Sequence, residues 1–332
     1  MTCIPSSSKC HLRKCNKCPG IENLKAKLNQ LLEQNYIDEI TYKQWVSVDR
    51  DNLETMIGEA NVFMDSLCEK LEILLPHSFI AKQQAAYLSE RKSNLEENEY
   101  IAVCDFSENA SFTIQDAVQG FHWNNSQATL YPIAIYFKSD GKTQHTNFII
   151  ISDCLVHDSV AVHQFHRHLN VFLRKKFKTT PKKITYFSDG SAAQFKNKKN
   201  FINLCYHMED FGCNAEWHFF ATSHGKGPSD GLGGTVKREA RRASLQRPLQ
   251  GQITTPKQLY EWCLQNLLNC NFEFLTLKDH EEEARFLQIR FKDLRTIPGT
   301  QKLHSITPVD KKKIKVKRYS ADADFLIEIL QK

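Results

Sequence analysis

"YIAVCDF" (residues 100–106) is a short, β-branched, apolar run that ends in an acid, and "KKITYFSDG" (182–190) repeats that design further along the chain. Continuous apolar runs of this length read as buried strands when turn residues bound them. Two further runs, "ATLYPIAIYFK" (128–138) and "TNFIIISD" (146–153), follow the first, with Gly141 in an "SDGK" turn that predicts a hairpin between them. "DSVAVHQFHRHLNVFLRKKF" (158–177) has helical periodicity and offers Asp158 or Ser159 as its N-cap. After the 182–190 strand, "NKKNFINLCYHMEDFG" (197–212) predicts a helix closed by Gly212. "AEWHFFATS" (215–223) is a fifth strand, and helix resumes in "TVKREARRASL" (235–245). The predicted order is β-β-β-α-β-α-β-α.

Three strands, a helix, then alternating strands and helices is the order of the ribonuclease-H-like fold, an α/β fold with a mixed five-stranded sheet flanked by helices. Its chemistry comes from acids at strand ends. Asp105 closes the first strand here, Asp189 closes the fourth, and Asp230 opens the last helix. Such carboxylates can hold two Mg²⁺ or Mn²⁺ ions, which prefer oxygen ligands and promote phosphodiester displacement. Glu239 competes with Asp230 for the third position. On one helix the two lie half a turn out of phase, so they cannot both face the metals. Asp230 shares its face with Gly234, Lys237 and Arg241: a carboxylate, a gap for close backbone approach, and two cations for phosphates. Asp230 is therefore the preferred ligand. Lys196, in the polar stretch after Asp189, is expected to meet a DNA backbone, and Glu108 to cap the turn after the first strand.

The blocks "DFSEN" (105–109), "YFSDGSAAQFKNKKNF" (186–201) and "AEWHFFATSHGKGPSDGLGGTVKR" (215–238) resemble blocks of transposon-derived proteins found mainly in invertebrate genomes. These are DDE/D-type transposases of the ribonuclease-H-like superfamily. The resemblance covers roughly residues 98–250. It implies that Asp105, Asp189 and Asp230 form a metal-binding catalytic triad, with His224 and Lys226 near the scissile phosphate. It implies DNA strand cleavage and transfer, with DNA as partner, a nuclear location and a possible homo-oligomer. Asp in place of the commoner Glu as third acid, and a lead segment without a recognisable terminal-repeat-binding domain, keep other readings open. They are a truncated or host-adopted copy, a catalytically silent DNA- or protein-binding module, and a related nuclease.

Around this core (99–250) the chain has three other segments. Residues 1–20 carry Cys3, Cys10, Cys15 and Cys18, whose final CxxC has the pitch of a structural zinc site, although no second CxxC matches it. Residues 21–98 predict an α-helical lead segment. Residues 251–332 predict a mainly helical extension, with Pro256 at the start of one helix, a basic strand in "KKKIKVKRY" (311–319) and a final helix in "ADFLIEIL" (323–330). The odd count of 11 cysteines, most of them in apolar segments, fits reduced thiols rather than a disulfide framework. A net charge of +6, crowded at 174–183, 196–199, 237–247 and 311–318, admits nucleic acid as partner. No apolar run reaches membrane-spanning length. His157, His163, His166 and His168 are expected to be surface residues of a solvated helix rather than metal ligands.

Overall fold

Residues 39–59 form paired strands, not helix, with period-two burial over residues 39–47 and again over 55–59. In the computed structural model, which describes residues 1–112, 126–222, 227–248 and 251–330, the chain divides into two units at Lys82/Gln83. The first unit holds α1 (Ser8–His11), α2 (Gly20–Gln34), β1 (Glu39–Ser47), β2 (Asp51–Glu59) and the first part of α3 (Ala60–Ser93). β1 and β2 form an antiparallel hairpin in register from Glu39↔Glu59 to Ser47↔Asp51. One face of β1 carries Ile40, Tyr42, Gln44 and Val46 inward, and the other leaves Thr41, Lys43 and Trp45 exposed. Tyr42 packs on Phe63 of α3 with ring centroids 4.7 Å apart, and Lys70 of α3 donates to Gln44 at 3.0 Å. The expected all-helical lead segment is thus corrected. Alternation of β-branched and aromatic residues with polar ones in "EITYKQWVS" makes a half-buried strand.

The second unit is one mixed sheet with helices on its faces. Its elements are β3 (Glu99–Cys104), β4 (Ser107–Ser111), β5 (Gln127–Ser139), β6 (Lys142–Ser152), α4 (Ser159–Phe177), β7 (Lys183–Ser188), α5 (Lys198–Cys205), α6 (His207–Phe211), β8 (Asn214–Phe219) and α7 (Pro228–Leu245). Then come α8 (Pro256–Asn266), β9 (Cys270–Leu275), α9 (Leu277–Leu287), β10 (Ser305–Pro308), β11 (Lys313–Lys317) and β12 (Phe325–Glu328). Strands lie in the order β12-β11-β10-β8-β7-β3-β5-β6-β9, and β4 pairs with β5. β3 is antiparallel to β5 and β5 to β6, whereas β3, β7 and β8 run parallel.

Every residue of β3 is buried, as suits a central strand covered on both faces. On one face Cys104, Tyr131 and Ile133 pack with Phe165 and Leu169 of α4 and Phe201 of α5. On the other, Leu130 and Ile151 pack with Val236 and Ala240 of α7 and Leu259 and Trp262 of α8. Local chemistry sets the element ends. Asp158 accepts from the Val160 and Ala161 N–H groups, Gly212 takes φ 65°, and Thr255 caps α8 ahead of Pro256. The single helix expected over 197–212 is broken at Tyr206 into α5 and α6.

The expected mainly helical C-terminal extension is also corrected. β9 pairs parallel with β6 at one edge of the sheet, and β10, β11 and β12 extend the other through β8. Ile314 and Val316 of β11 are fully buried while Lys313 and Lys315 face outward. "FLIE", expected as part of a helix, pairs with β11 as β12 because a four-residue apolar run is too short to show its period. No helix among the described residues is long and apolar enough to cross a membrane.

Candidate active site

β3 and β7 are parallel neighbours with Val103 opposite Phe187, so Asp105 and Asp189 leave adjacent strand ends side by side. Neighbouring strands lie about 4.8 Å apart. The end of β7 is locked from both sides. The Trp217 indole donates to Ser188 Oγ at 2.9 Å, and that hydroxyl donates to the Asp189 carbonyl at 2.9 Å. Asp189 Oδ1 accepts the Ser191 N–H at 3.0 Å, which fixes the turn after the strand. The third acid arrives on α7. Ser229 donates to the Val103 carbonyl at 2.9 Å and docks the first helical turn on the end of β3. Asp230 follows immediately, exposed, with Oδ2 accepting the Gly227 N–H at 2.9 Å.

Burial raises the Asp105 carboxyl to about 7, and the charges of Asp189 and then Asp230 add to the rise. The three acids therefore share one electrostatic field. Glu239, the competing third acid, is engaged elsewhere: Arg242 and Arg238 hold its carboxylate at 2.5 and 3.3 Å. Carboxylates carried at adjacent strand ends and on the facing helix are hard oxygen donors of the kind that suits Mg²⁺ or Mn²⁺. Among the described residues, though, only the four N-terminal cysteines bring three or more ligand atoms within 4.8 Å of one another.

Residues 84–320 match the model of a family described as a domain of unknown function, DUF8701. The chain belongs to the DUF8701 family. Residues 1–75 match a second family model, also described as a domain of unknown function, DUF8700. Among curated proteins none matches the chain. Two solved structures are similar at a low level. One is NurA bound to dAMP and manganese (12% identity, 78% of this chain and 51% of that one, TM-score 0.16). The other is NurA with manganese (10% identity, 76% and 50%, TM-score 0.14). The chain spans about half the length of these structures.

Within the DUF8701 domain the expected phosphate ligands are placed unequally. Lys196, expected on an exposed loop, is buried; its Nζ donates to the Gln301 carbonyl at 3.2 Å and lies 4.9 Å from the Phe219 ring centroid. Burial lowers it to about 8, against the opposing pull of Asp189. It thus supplies a positive charge behind Asp189 rather than a surface contact. Lys237 donates to the Glu108 carbonyl at 3.3 Å, with the Glu108 carboxylate 3.7 Å away. Glu108 therefore sits on β4 as a partner of α7, not as a turn cap. Arg241 is exposed, and with Lys237 it lines a cavity of about 210 Å³ beside Ser111 and Phe112. His224 and Lys226 lie outside the described residues.

The four histidines expected on a solvated face are not on one: His157, just ahead of α4, and His168 are half-buried. His163 and His166 are buried: His163 is held between Asp210 at 3.0 Å and Glu283 at 2.5 Å, and His166 contacts the Tyr131 hydroxyl at 3.1 Å. His157 meets Thr129 and His168 meets Glu273, so the four are separately engaged. At the other end of the chain, the Sγ atoms of Cys3, Cys10, Cys15 and Cys18 all lie within 4.8 Å of one another, a set that could hold a metal ion.

Gly233, rather than the expected Gly234, makes the close approach of α7. A Cβ on Gly233 would meet Ser107 Oγ at 2.5 Å and Ser107 Cβ at 2.8 Å, whereas Gly234 has nothing within 4 Å. Glycine to alanine inside a helix ordinarily stabilises by about 1 kcal/mol. Gly234→Ala is expected to follow that rule. Gly233→Ala must push α7 from β4, and a net loss of about 1–3 kcal/mol is expected. Urea unfolding of the two variants checks the opposite signs.

Proposed function

We propose that the DUF8701 domain is a ribonuclease-H-like phosphodiesterase that cleaves and transfers DNA strands as a transposase does. The observation that carries this reading is the coincidence of strand order and acids. The five central strands run third, second, first, fourth, fifth in the order β6-β5-β3-β7-β8, with only the second reversed. Asp105 and Asp189 follow the first and fourth of them, and Asp230 opens the helix after the fifth. Two divalent ions held by these three carboxylates would supply Lewis-acid activation and charge neutralisation for phosphodiester displacement. The fit is chemical: the donors are all hard oxygens, and the partly buried Asp105 has two like-charged neighbours whose repulsion a bound cation would offset.

The chain's own residues do the positioning. Rigid strand ends hold Asp105 and Asp189, Ser229 docks the helix that presents Asp230, and Lys196 sets a buried cation behind Asp189. Arg241, with Lys237 one turn before it, offers basic groups along α7 for a phosphate backbone, and a DNA substrate would put the reaction in the nucleus. Nicking of supercoiled plasmid by the full chain with Mg²⁺ or Mn²⁺ tests the proposal. DNA binding without nicking would favour the silent module instead, a reading for which the capping role of Asp230 speaks.

Ionisation of Asp105 sets the pH dependence. With a carboxyl near 7, metal binding below that pH must expel a proton. Mn²⁺ affinity, followed by calorimetry, is expected to rise about tenfold per pH unit up to about 7 and then to level. Without metal the sign for stability is opposite. A carboxyl raised above its unfolded value of about 3.9 contributes most below that pH, and the contribution is lost as pH climbs through about 7.

A further inference from the structure

We infer that the Met1–Lys82 unit is a zinc-dependent fold, in which Cys3, Cys10, Cys15 and Cys18 bind one Zn²⁺ as four thiolates. Cys3 Sγ lies 3.9 Å from Cys15 Sγ and 3.8 Å from Cys18 Sγ, and all four sulfurs lie within 4.8 Å of one another. A tetrahedral ion with Zn–S bonds of about 2.3 Å sets its sulfurs about 3.8 Å apart. A disulfide would need about 2.05 Å, and all eleven cysteines are free thiols. The fold completes what the spacing leaves incomplete. Only Cys15 and Cys18 form a CxxC; Cys10 comes from α1, and Cys3 is brought in from the chain before it.

Soft thiolates in a four-sulfur set select Zn²⁺ over Mg²⁺ and Ca²⁺, and Zn²⁺ over Fe²⁺ by intrinsic affinity. On binding, four S–H bonds give way to four S–Zn bonds and four protons pass to solvent. The resulting centre is doubly negative, and the formally charged residues between the ligands (Lys9, Arg13, Lys14 and Lys17) are all cationic. Cys10, Cys15 and Cys18 also line a cavity of about 120 Å³ with Ile21 of α2 and Leu75 of α3, so an ion there would tie all three helices of the unit together.

Energetics point the same way. Apart from Cys10, the buried apolar side chains of this unit are Ile21, Ala60, Met64 and Cys68. A core so small does not offset the chain entropy of a unit this size, and small domains in that position depend on a metal or disulfide staple.

The test uses the full chain. Elemental analysis after exhaustive dialysis is expected to give one zinc per chain, falling to none in Cys15→Ser/Cys18→Ser. Zinc retained by Asp189→Asn would separate this centre from the carboxylate site. Limited proteolysis after chelation is expected to cut within residues 1–82 and leave 83–332 intact, and added Zn²⁺ should restore protection to the wild type but not to the double variant. A chain that carries no zinc, one that carries iron instead, or a stripped chain as resistant to protease as before would overturn the inference.

Discussion

Asp189→Asn is expected to lower Mg²⁺- and Mn²⁺-dependent DNA nicking by about a thousandfold or more, without unfolding the chain. Losing one anionic ligand from a divalent centre forfeits several kcal/mol of transition-state stabilisation, and about 4 kcal/mol is a factor of a thousand. The structure explains why folding survives. Asp189 Oδ1 accepts the Ser191 N–H, a bond that an Asn side-chain oxygen can also accept, and the Trp217–Ser188 lock on β7 does not involve the carboxylate. Asp105→Asn should cost a similar factor in rate yet stabilise the metal-free protein at neutral pH, because it removes a charge that burial and two neighbouring acids oppose. Glu239→Gln, whose parent carboxylate is held by Arg238 and Arg242, should change the rate by less than about threefold, in keeping with surface ion pairs that contribute little. Single-turnover nicking with each variant measures the three rates, and urea unfolding without metal measures the Asp105→Asn stabilisation. Activity that survives in Asp230→Asn and is lost in Glu239→Gln would reassign the third acid.

The largest effect on stability is expected from Asp210→Ala. Asp210, 5% exposed, accepts from both terminal nitrogens of Arg290 at 2.6 and 2.8 Å and meets His163 Nε2 at 3.0 Å. His163 in turn meets Glu283, which also pairs with Arg167. The network fastens α4 and α6 to α9 and to the segment that follows it. Burial alone would raise the Asp210 carboxyl, but hydrogen bonds from His163 and Arg290 outweigh it and hold the group well below the usual carboxylate range. Removing one member of such a set leaves buried charges without a partner, a loss of about 3–5 kcal/mol. For a depressed carboxyl the contribution is present above the unfolded value of about 3.9 and disappears as pH falls through the folded one. The gap in urea midpoint between wild type and Asp210→Ala should therefore be full at pH 7 and shrink below about pH 4. A variant as stable as the wild type at pH 7 would remove the network from the account.

The same residues show where sequence reading works and where it stops. The central strands were legible because β3, β7 and the inner stretches of β5 and β6 are buried on both faces and so read as apolar runs. Asp158, Gly212 and Pro256 were legible because caps, left-handed positions and first helical turns demand particular residue types. The β1–β2 hairpin was missed because its strands are half exposed and mix polar with apolar residues. β12 was missed because four residues carry no clear period. Lys196 reads as a surface lysine in a polar stretch. Its burial depends on Gln301 and Phe219, distant in sequence and brought to it only by the fold. The α4 histidines mislead for the same reason, since their acidic partners lie on α6, β9 and α9. That Gly233 and not Gly234 faces β4 could not be told without knowing that Ser107 lies opposite.

The anomalous difference map of a crystal soaked in Mn²⁺ is the most direct test of the proposed centre. The account predicts density between the carboxylates of Asp105 and Asp189, with Asp230 facing it, and none there in Asp189→Asn. Manganese bound only elsewhere, with those carboxylates in view and apart, would contradict it.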